Sequence, residues 1–246
     1  MPQSVRFRAT VEAAIRHGPD VASYRLHSEK RLPRFSPGQF VHLTLEPFDP
    51  ASFWPESRVF SVANAVVDRR TLDLTISRQG EYTTRILDEL DVGAAVWLKG
   101  PYGDFAVDQS CGFRRVALLA GGTGVTPFCA FMDRALSEGQ LPVENAILFY
   151  GARRPDLLIY RALADRCAAR VKGFQVRYFA EDDVADDDPA VARGRLNLTH
   201  ILPELGTPAE TGFFLSGPKP MIDGLQAGLR DIPGIAPEQI VIDAWE

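Results

Sequence analysis

Residues 116–128, Val-Ala-Leu-Leu-Ala-Gly-Gly-Thr-Gly-Val-Thr-Pro-Phe, run from an apolar strand through a glycine-rich turn into a helix start. Thr126 is a preferred N-cap and Pro127 a preferred first helical residue, so the spacing predicts a helix beginning there. A helix N-terminus presents unpaired N–H groups and the positive end of its dipole. Gly121, Gly122 and Gly124, with Thr123 among them, let the backbone come close to a bulky anion. The expected tenant is a phosphate or pyrophosphate. The turn is neither Gly-x-Gly-x-x-Gly nor a P-loop with its Lys-Ser/Thr, so neither standard nucleotide fingerprint applies. A tight strand–helix turn with no ligand has the same local features.

Other residues point to the same chemistry. Arg58-Val59-Phe60-Ser61 has the pattern of a strand, and about twenty residues later Arg78-Gln79-Gly80-Glu81-Tyr82-Thr83-Thr84 opens a short helix. Arg58 offers a donor fork suited to phosphate, and Thr83 and Thr84 with the helix N-terminus offer more donors. Phe60 gives a flat apolar face, with the Ser61 hydroxyl beside it. Such a set suits a phosphorylated planar ring. Leu215-Ser216-Gly217-Pro218-Lys219-Pro220-Met221 reads as the end of one strand and the start of a helix, the edge where α/β sheets bind ligands. The sequence closes on Val241-Ile-Asp-Ala-Trp245-Glu246, where Trp245 either caps a core or covers a planar cofactor.

The elements that must position these residues divide at about 108–113. Before that point period-two alternation marks strands at Val5-Arg-Phe-Arg-Ala-Thr, Val21-Ala-Ser-Tyr-Arg-Leu, Phe40-Val-His-Leu-Thr-Leu, Leu72-Asp-Leu-Thr-Ile-Ser and Ala95-Val-Trp-Leu-Lys, with one short helix to Leu90. The turn Gly100-Pro101-Tyr102-Gly103-Asp104-Phe105 closes this antiparallel barrel. Afterwards apolar strands at 115–120, 145–150, 174–179, 212–216 and 239–244 alternate with helices near 127–138, 156–171 and 220–230. That order indicates a parallel sheet covered on both faces. The expected fold is an N-terminal antiparallel Greek-key β-barrel of about six strands, residues 1–110. A C-terminal α/β domain with a five-stranded parallel sheet, residues 111–246, follows it.

The composition, 46% hydrophobic and 24% charged over 246 residues, is that of a globular protein. No apolar run reaches the roughly 20 residues that span a bilayer. The first residues lack a signal peptide's apolar core, and the odd count of three cysteines fits a reducing cytoplasm. Cys111, Cys129 and Cys167 are too far apart for a four-cysteine metal or iron–sulfur site, and no metal site is expected. A net charge of −5 argues against nucleic acid as a partner. Against that balance stands a local cationic cluster, Arg25, Lys30, Arg31 and Arg34. A solvated face explains it most simply; docking to an acidic protein is the other reading.

These motifs, in this order, resemble the ferredoxin–NADP⁺ reductase-type flavoenzyme family. Its barrel carries Arg-x-Tyr-Ser and a Gly-x-x-Ser/Thr helix start. Its second domain carries Gly-Gly-x-Gly-x-x-Pro and Cys/Ser-Gly-Pro-x-x-Met, often with an aromatic residue near the C-terminus. The matches here are Arg58/Ser61, Gly80/Thr83, Gly121 to Pro127, Ser216 to Met221, and Trp245. Phe60 replaces the usual Tyr, Ser216 replaces a frequent Cys, and Asp243-Ala244-Trp245 stands for a Glu-x-aromatic ending. The resemblance implies FAD, less readily FMN, against the barrel, with Arg58, Gly80 and Thr83 holding its phosphates and Val59, Tyr82 and Thr84 among the other cofactor-binding residues. It implies Phe60 on a ring face and Ser61 near the reacting nitrogen. NADH or NADPH then docks over Gly121 to Thr126, with its nicotinamide near Ser216 and Gly217, with Pro218 and Met221 also binding the cofactor, and with Trp245 shielding the ring. Ser61, Ser216 and Trp245 thus surround the reaction. Arg153 suits a 2′-phosphate, whereas Glu181-Asp182-Asp183 would repel one, and this favours NADH.

The activity implied is an NAD(P)H-dependent reductase feeding a separate acceptor, such as a ferredoxin, an oxygenase component, a haem protein or a ferric chelate. A flavin-holding regulatory or relay subunit without its own NAD(P)H turnover is the alternative. A module binding no flavin, with Phe60 and Trp245 as core, is the third reading.

Overall fold

The computed structural model describes residues 4–108, 112–184 and 188–243. The chain divides into two compact units, Met1–Ala106 and Val107–Glu246. In the first, six strands form one antiparallel sheet: β1 (Val5–Arg16), β2 (Val21–Ser28), β3 (Phe40–Thr44), β4 (Arg58–Ser61), β5 (Thr71–Ser77) and β6 (Ala95–Tyr102), in the order β4-β3-β6-β1-β2-β5. Just beyond β4, Val62 bridges Leu74 of β5 and the Ala63 amide donates to Asp73, so the two edge strands nearly close a barrel. Closure of this kind removes exposed sheet edges.

Alternation explains why these segments are strands. In β5, Leu72, Leu74 and Ile76 are fully buried, while Asp73 between them points outward to a bidentate pair with Arg25 at 2.8 Å. Each such buried aliphatic residue contributes about 1.5–3 kcal/mol through removal from water. Strand β1 is twice the expected length, because a bulge between Val11 and Ala13 lets it continue along β2. Gly100 and Tyr102 belong to β6, paired with Val5 and Phe40; the turn begins at Gly103, not at Gly100. The one helix among the described residues of this unit, α1 (Glu81–Glu89), buries Tyr82, Ile86 and Leu87 on a single stripe.

The second unit holds a parallel sheet: β7 (Arg115–Gly121), β8 (Asn145–Ala152), β9 (Phe174–Ala180), β10 (Val191–Arg193), β11 (Thr211–Ser216) and β12 (Ile240–Ile242), in the order β10-β9-β8-β7-β11-β12. The sheet has six strands, where five are expected from the sequence; the sixth is the three-residue edge strand β10. Helices α2 (Thr126–Glu138), α3 (Arg161–Arg170), α4 (Leu198–Ile201) and α5 (Lys219–Arg230) cover it. Residues of β7 from Val116 to Ala120 are at most 1% exposed, as a strand covered on both faces requires. Ile201, Ile222, Leu225 and Leu229 pack with Ala117, Leu119, Phe213 and Leu215 on one face. Gly139 ends α2 in the left-handed conformation, φ 71°.

Cys129 and Cys167 are buried, and burial pushes the Cys167 thiol up to about 12. Cys111 lies outside the described residues. Among those described, no helix is long and apolar enough to cross a membrane.

Candidate functional site

Arg58 begins β4, and Gly80 precedes the first residue of α1. Arg58, Gln79, Gly80, Glu81, Tyr82 and Thr83 line one cavity of about 200 Å³. The Arg58 guanidinium lies over the Tyr82 ring, 4.7 Å from its centroid, and pairs with Glu56 at 2.8 Å. Both members of that pair are about half exposed, and such a pair contributes at most ~1 kcal/mol, so an incoming phosphate can replace Glu56. Tyr82 itself is a strut. It is 4% exposed, and its hydroxyl accepts from the Leu45 amide (3.1 Å) and donates to Glu56 O (3.0 Å).

The sequence treats Thr83 as a phosphate donor, but its hydroxyl is already occupied. It accepts from the Gln79 and Gly80 amides at 2.9 and 3.1 Å and so fixes the turn that leads into α1. The Thr84 amide donates to Gly80 O within the helix. What remains open is the first turn's own N–H groups. Gly80 has an extended φ of −171°, which any residue adopts, and a Cβ built there would meet nothing within 4 Å. The missing side chain therefore leaves a hollow at a helix N-terminus beside a guanidinium, which fits a phosphate.

Along β4, Arg58 and Phe60 share one face and Val59 and Ser61 the other. Phe60, opposite Val41, is half-buried against the barrel core, whereas Ser61 is 7% exposed and opposite Phe40. Neither Phe60 nor Ser61 lines the cavity.

In the second unit β7 is flanked by β8 on one side and β11 on the other, which makes its carboxyl end the switch point of the sheet. There the two glycine motifs meet. A Cβ on Gly124 would sit 2.5 Å from Gly217 N, and one on Gly121 would sit 2.7 Å from Met221 Sδ and 2.8 Å from Pro218 Cδ. Those two glycines let the turns pack on each other. Among the glycines of these two motifs, Gly122 alone combines a left-handed φ of +54° with open space where a side chain would be.

The expectation of a Thr126 N-cap is wrong. Gly122–Val125 already form a 3-10 turn running into α2, and the Thr126 hydroxyl donates back to Thr123 O at 2.9 Å. The helical path thus starts at Gly122, four residues earlier than the sequence suggests, with Pro127 in its first α-helical turn. The hollow therefore falls at Gly122.

Ser216, 3% exposed, ends β11 and donates to the Asp243 carboxylate at 2.9 Å; Asp243 is itself 4% exposed. In the sequence Asp243 stands out only as part of an ending motif. Its signal was a carboxylate terminating an apolar strand. Arg153 follows β8, and its carbonyl takes the amides of Glu181 and Asp182 at 3.1 and 2.8 Å. Cation and acidic run are therefore adjacent. Arg154 is held by Asp156, and Arg195 by Glu181 at 2.7 Å. Trp245 lies outside the described residues.

A family model described as the oxidoreductase FAD-binding domain matches residues 8–107, and one described as the oxidoreductase NAD-binding domain matches 118–227. The reductase component DmpP of phenol 2-monooxygenase from Pseudomonas sp. (strain CF600) is 30% identical over 223 residues, which cover 88% of this chain and 59% of the relative. The electron transfer component of toluate 1,2-dioxygenase from Pseudomonas putida is 30% identical over 205 residues, 82% of this chain and 56% of the relative. The chain thus spans less than three fifths of the length of these two relatives. A ferredoxin NADP⁺ reductase from Neisseria gonorrhoeae, solved with bound FAD and NADP, shares the fold. Its TM-score is 0.77 at 17% identity, covering 97% of this chain and 98% of that one.

Proposed function

The chain belongs to the ferredoxin reductase-like family of flavoenzymes, and from that premise we propose that it oxidises NADH and passes the electrons through FAD to a separate acceptor. The observation that carries this reading is a cavity of about 200 Å³ at Gly80 beside Arg58, together with the open, left-handed Gly122, each at a helix start.

Arg58 and the first-turn amides of α1 would hold the FAD phosphates, with Phe60 as an apolar platform and Ser61 as a small hydroxyl donor. Hydride acceptance and the release of electrons one at a time are the chemistry FAD supplies when bound. In the second domain the amides from Gly122 onward would take the dinucleotide's pyrophosphate, with Ser216 and Gly217 at the nicotinamide. The hydrogen bond to Asp243 holds the Ser216 hydroxyl in one orientation. Hydride transfer needs no side-chain acid or base, so this chain contributes placement and the exclusion of water. Trp245 is assigned to cover the nicotinamide site. The exposed acidic run beside Arg153 favours free ribose hydroxyls over a 2′-phosphate, and NADH over NADPH. Two buried cysteines with the packing of small apolar residues agree with a reducing cytoplasm.

The test is anaerobic titration of the FAD-loaded protein. NADH should bleach the flavin band faster than NADPH does. A protein that retains FAD but is bleached by neither coenzyme acts as a flavin-holding relay, and one that retains no FAD defeats the reading.

A further inference from the structure

Two loops of the barrel domain meet beside the end of the strand that carries Ser61. Residues 29–39 precede β3, and residues 62–70 follow β4. Backbone bonds knit them together: Val62 N to Gln39 O at 3.0 Å, Leu32 N to Arg69 O at 2.7 Å, and Ser28 N to Arg70 O at 2.8 Å. Two guanidinium groups add to this, Arg69 Nε donating to Leu32 O at 2.7 Å and Arg70 Nη1 to Glu29 O at 2.6 Å. Leu32, 1% exposed, plugs the underside. Val66 and Arg69 hold left-handed φ values of 48° and 57°, a strained conformation for non-glycine residues. Such strain persists only where the surroundings over-determine the backbone, so the platform is stiff.

On it stand Lys30, Arg31, Arg34 and Arg70, all exposed, with Arg69 half-buried and Val67 74% exposed at the tip. The two loops carry only two carboxylates. Glu29 faces Arg8 at 3.6 Å, and Asp68 accepts from the Arg70 and Thr71 amides and the Thr71 hydroxyl. Among the described residues none of the five cations has a carboxylate within 4 Å. Every other Lys and Arg of the barrel domain is ion-paired or laid over an aromatic ring. In a chain of net charge −5, an ordinary solvated surface intersperses its signs; this one segregates them.

We propose that this platform docks the acidic face of the electron-acceptor protein, with Val67 as its apolar contact. The inference rests on the reductase reading given above. Unpaired cations attract a partner's carboxylates at long range and orient the encounter beside the Ser61 strand end. The overall reaction is balanced when NADH becomes NAD⁺ with release of one proton and two ferric haems each gain one electron.

The experiment compares two haem proteins, acidic cytochrome b5 and basic cytochrome c, as acceptors for the FAD-loaded full chain, with a small dye as control. Net charge alone favours cytochrome c. The platform predicts that cytochrome b5 has the higher kcat/KM at low salt and loses about tenfold on moving to physiological salt. The triple variant Lys30→Glu, Arg31→Glu, Arg34→Glu should lose about tenfold with cytochrome b5 and keep its dye reduction. Val67→Asp gives a second reading should the triple variant fail to fold. Preference for cytochrome c in the wild type, or cytochrome b5 kinetics unchanged in the variants, overturns the proposal. If NADH reduces no dye at all, the reductase reading has failed, and calorimetric binding of the same two cytochromes at low salt still decides the docking surface.

Discussion

Gly80 and Gly122 each leave a hollow at the start of a helical path, but the two domains build those hollows from different material. At Gly80 the backbone is extended and tolerates any side chain; glycine matters there only for the space it leaves, and a side chain, Arg58, supplies the positive charge. At Gly122 the backbone itself is left-handed, and the flanking Gly121 and Gly124 are pressed against Met221, Pro218 and Gly217. The barrel cradle is thus an addition to a finished fold, whereas the α/β cradle is part of the packing. Binding and stability should separate in the first and stay coupled in the second.

The largest effect tests that coupling. In Gly124→Ala the new Cβ meets the Gly217 backbone at 2.5 Å, and backbone cannot swing aside as a side chain does. The α/β domain should lose about 3 kcal/mol, the upper end of overpacking costs, as read by denaturant unfolding. A wild-type midpoint would show that the two turns do not pack as described. Next is Asp243→Ala, which strands the buried Ser216 hydroxyl at a cost of about 2 kcal/mol. Asp243→Asn keeps an acceptor and should restore most of that loss. If Asn and Ala behave alike, the Ser216 bond is not what Asp243 provides. Arg58→Ala should leave stability within about 0.5 kcal/mol, since its pair is exposed, yet weaken FAD binding by about 1.5 kcal/mol, roughly tenfold in Kd. Unchanged FAD affinity would remove Arg58 from the cradle.

The sequence shows where chemistry-bearing residues lie more readily than what each of them does. Leu72, Leu74 and Ile76 announce a strand because burial alternates with the backbone's own period. The parallel strands stand out because both faces are covered. Strand β10 escapes detection because three residues carry no period. Thr126-Pro127 has the composition of a helix start, but the four residues before it are already helical through i→i+3 bonding, which no capping signal reports. Thr83 looks like a ligand donor until its turn is folded and the Gln79 and Gly80 amides claim the hydroxyl. The Ser216–Asp243 bond joins residues 27 apart and exists only because β12 pairs with β11. Local pattern encodes local structure; the distinction between spacer, strut and donor is made by tertiary contacts.

The smallest expected effect is the sharpest comparison. Gly122→Ala puts a Cβ on a left-handed residue, which costs about 1 kcal/mol of stability whatever the ligand does. Gly80→Ala incurs no such strain. Alanine caps a helix less well than glycine, by under ~1 kcal/mol, but it also lowers the entropy of the unfolded chain by a similar amount. The two terms offset, and thermal unfolding of the FAD-free variant should match wild type within about 0.5 kcal/mol. Its FAD affinity should nevertheless fall, because the methyl group occupies the hollow the phosphate needs. Loss of FAD with an unchanged apo midpoint at Gly80, against loss of both NADH affinity and stability at Gly122, is the pattern that two differently built cradles require. Equal stability losses at the two positions would mean that Gly80 is held by its backbone after all, and that the hollow beside Arg58 is incidental.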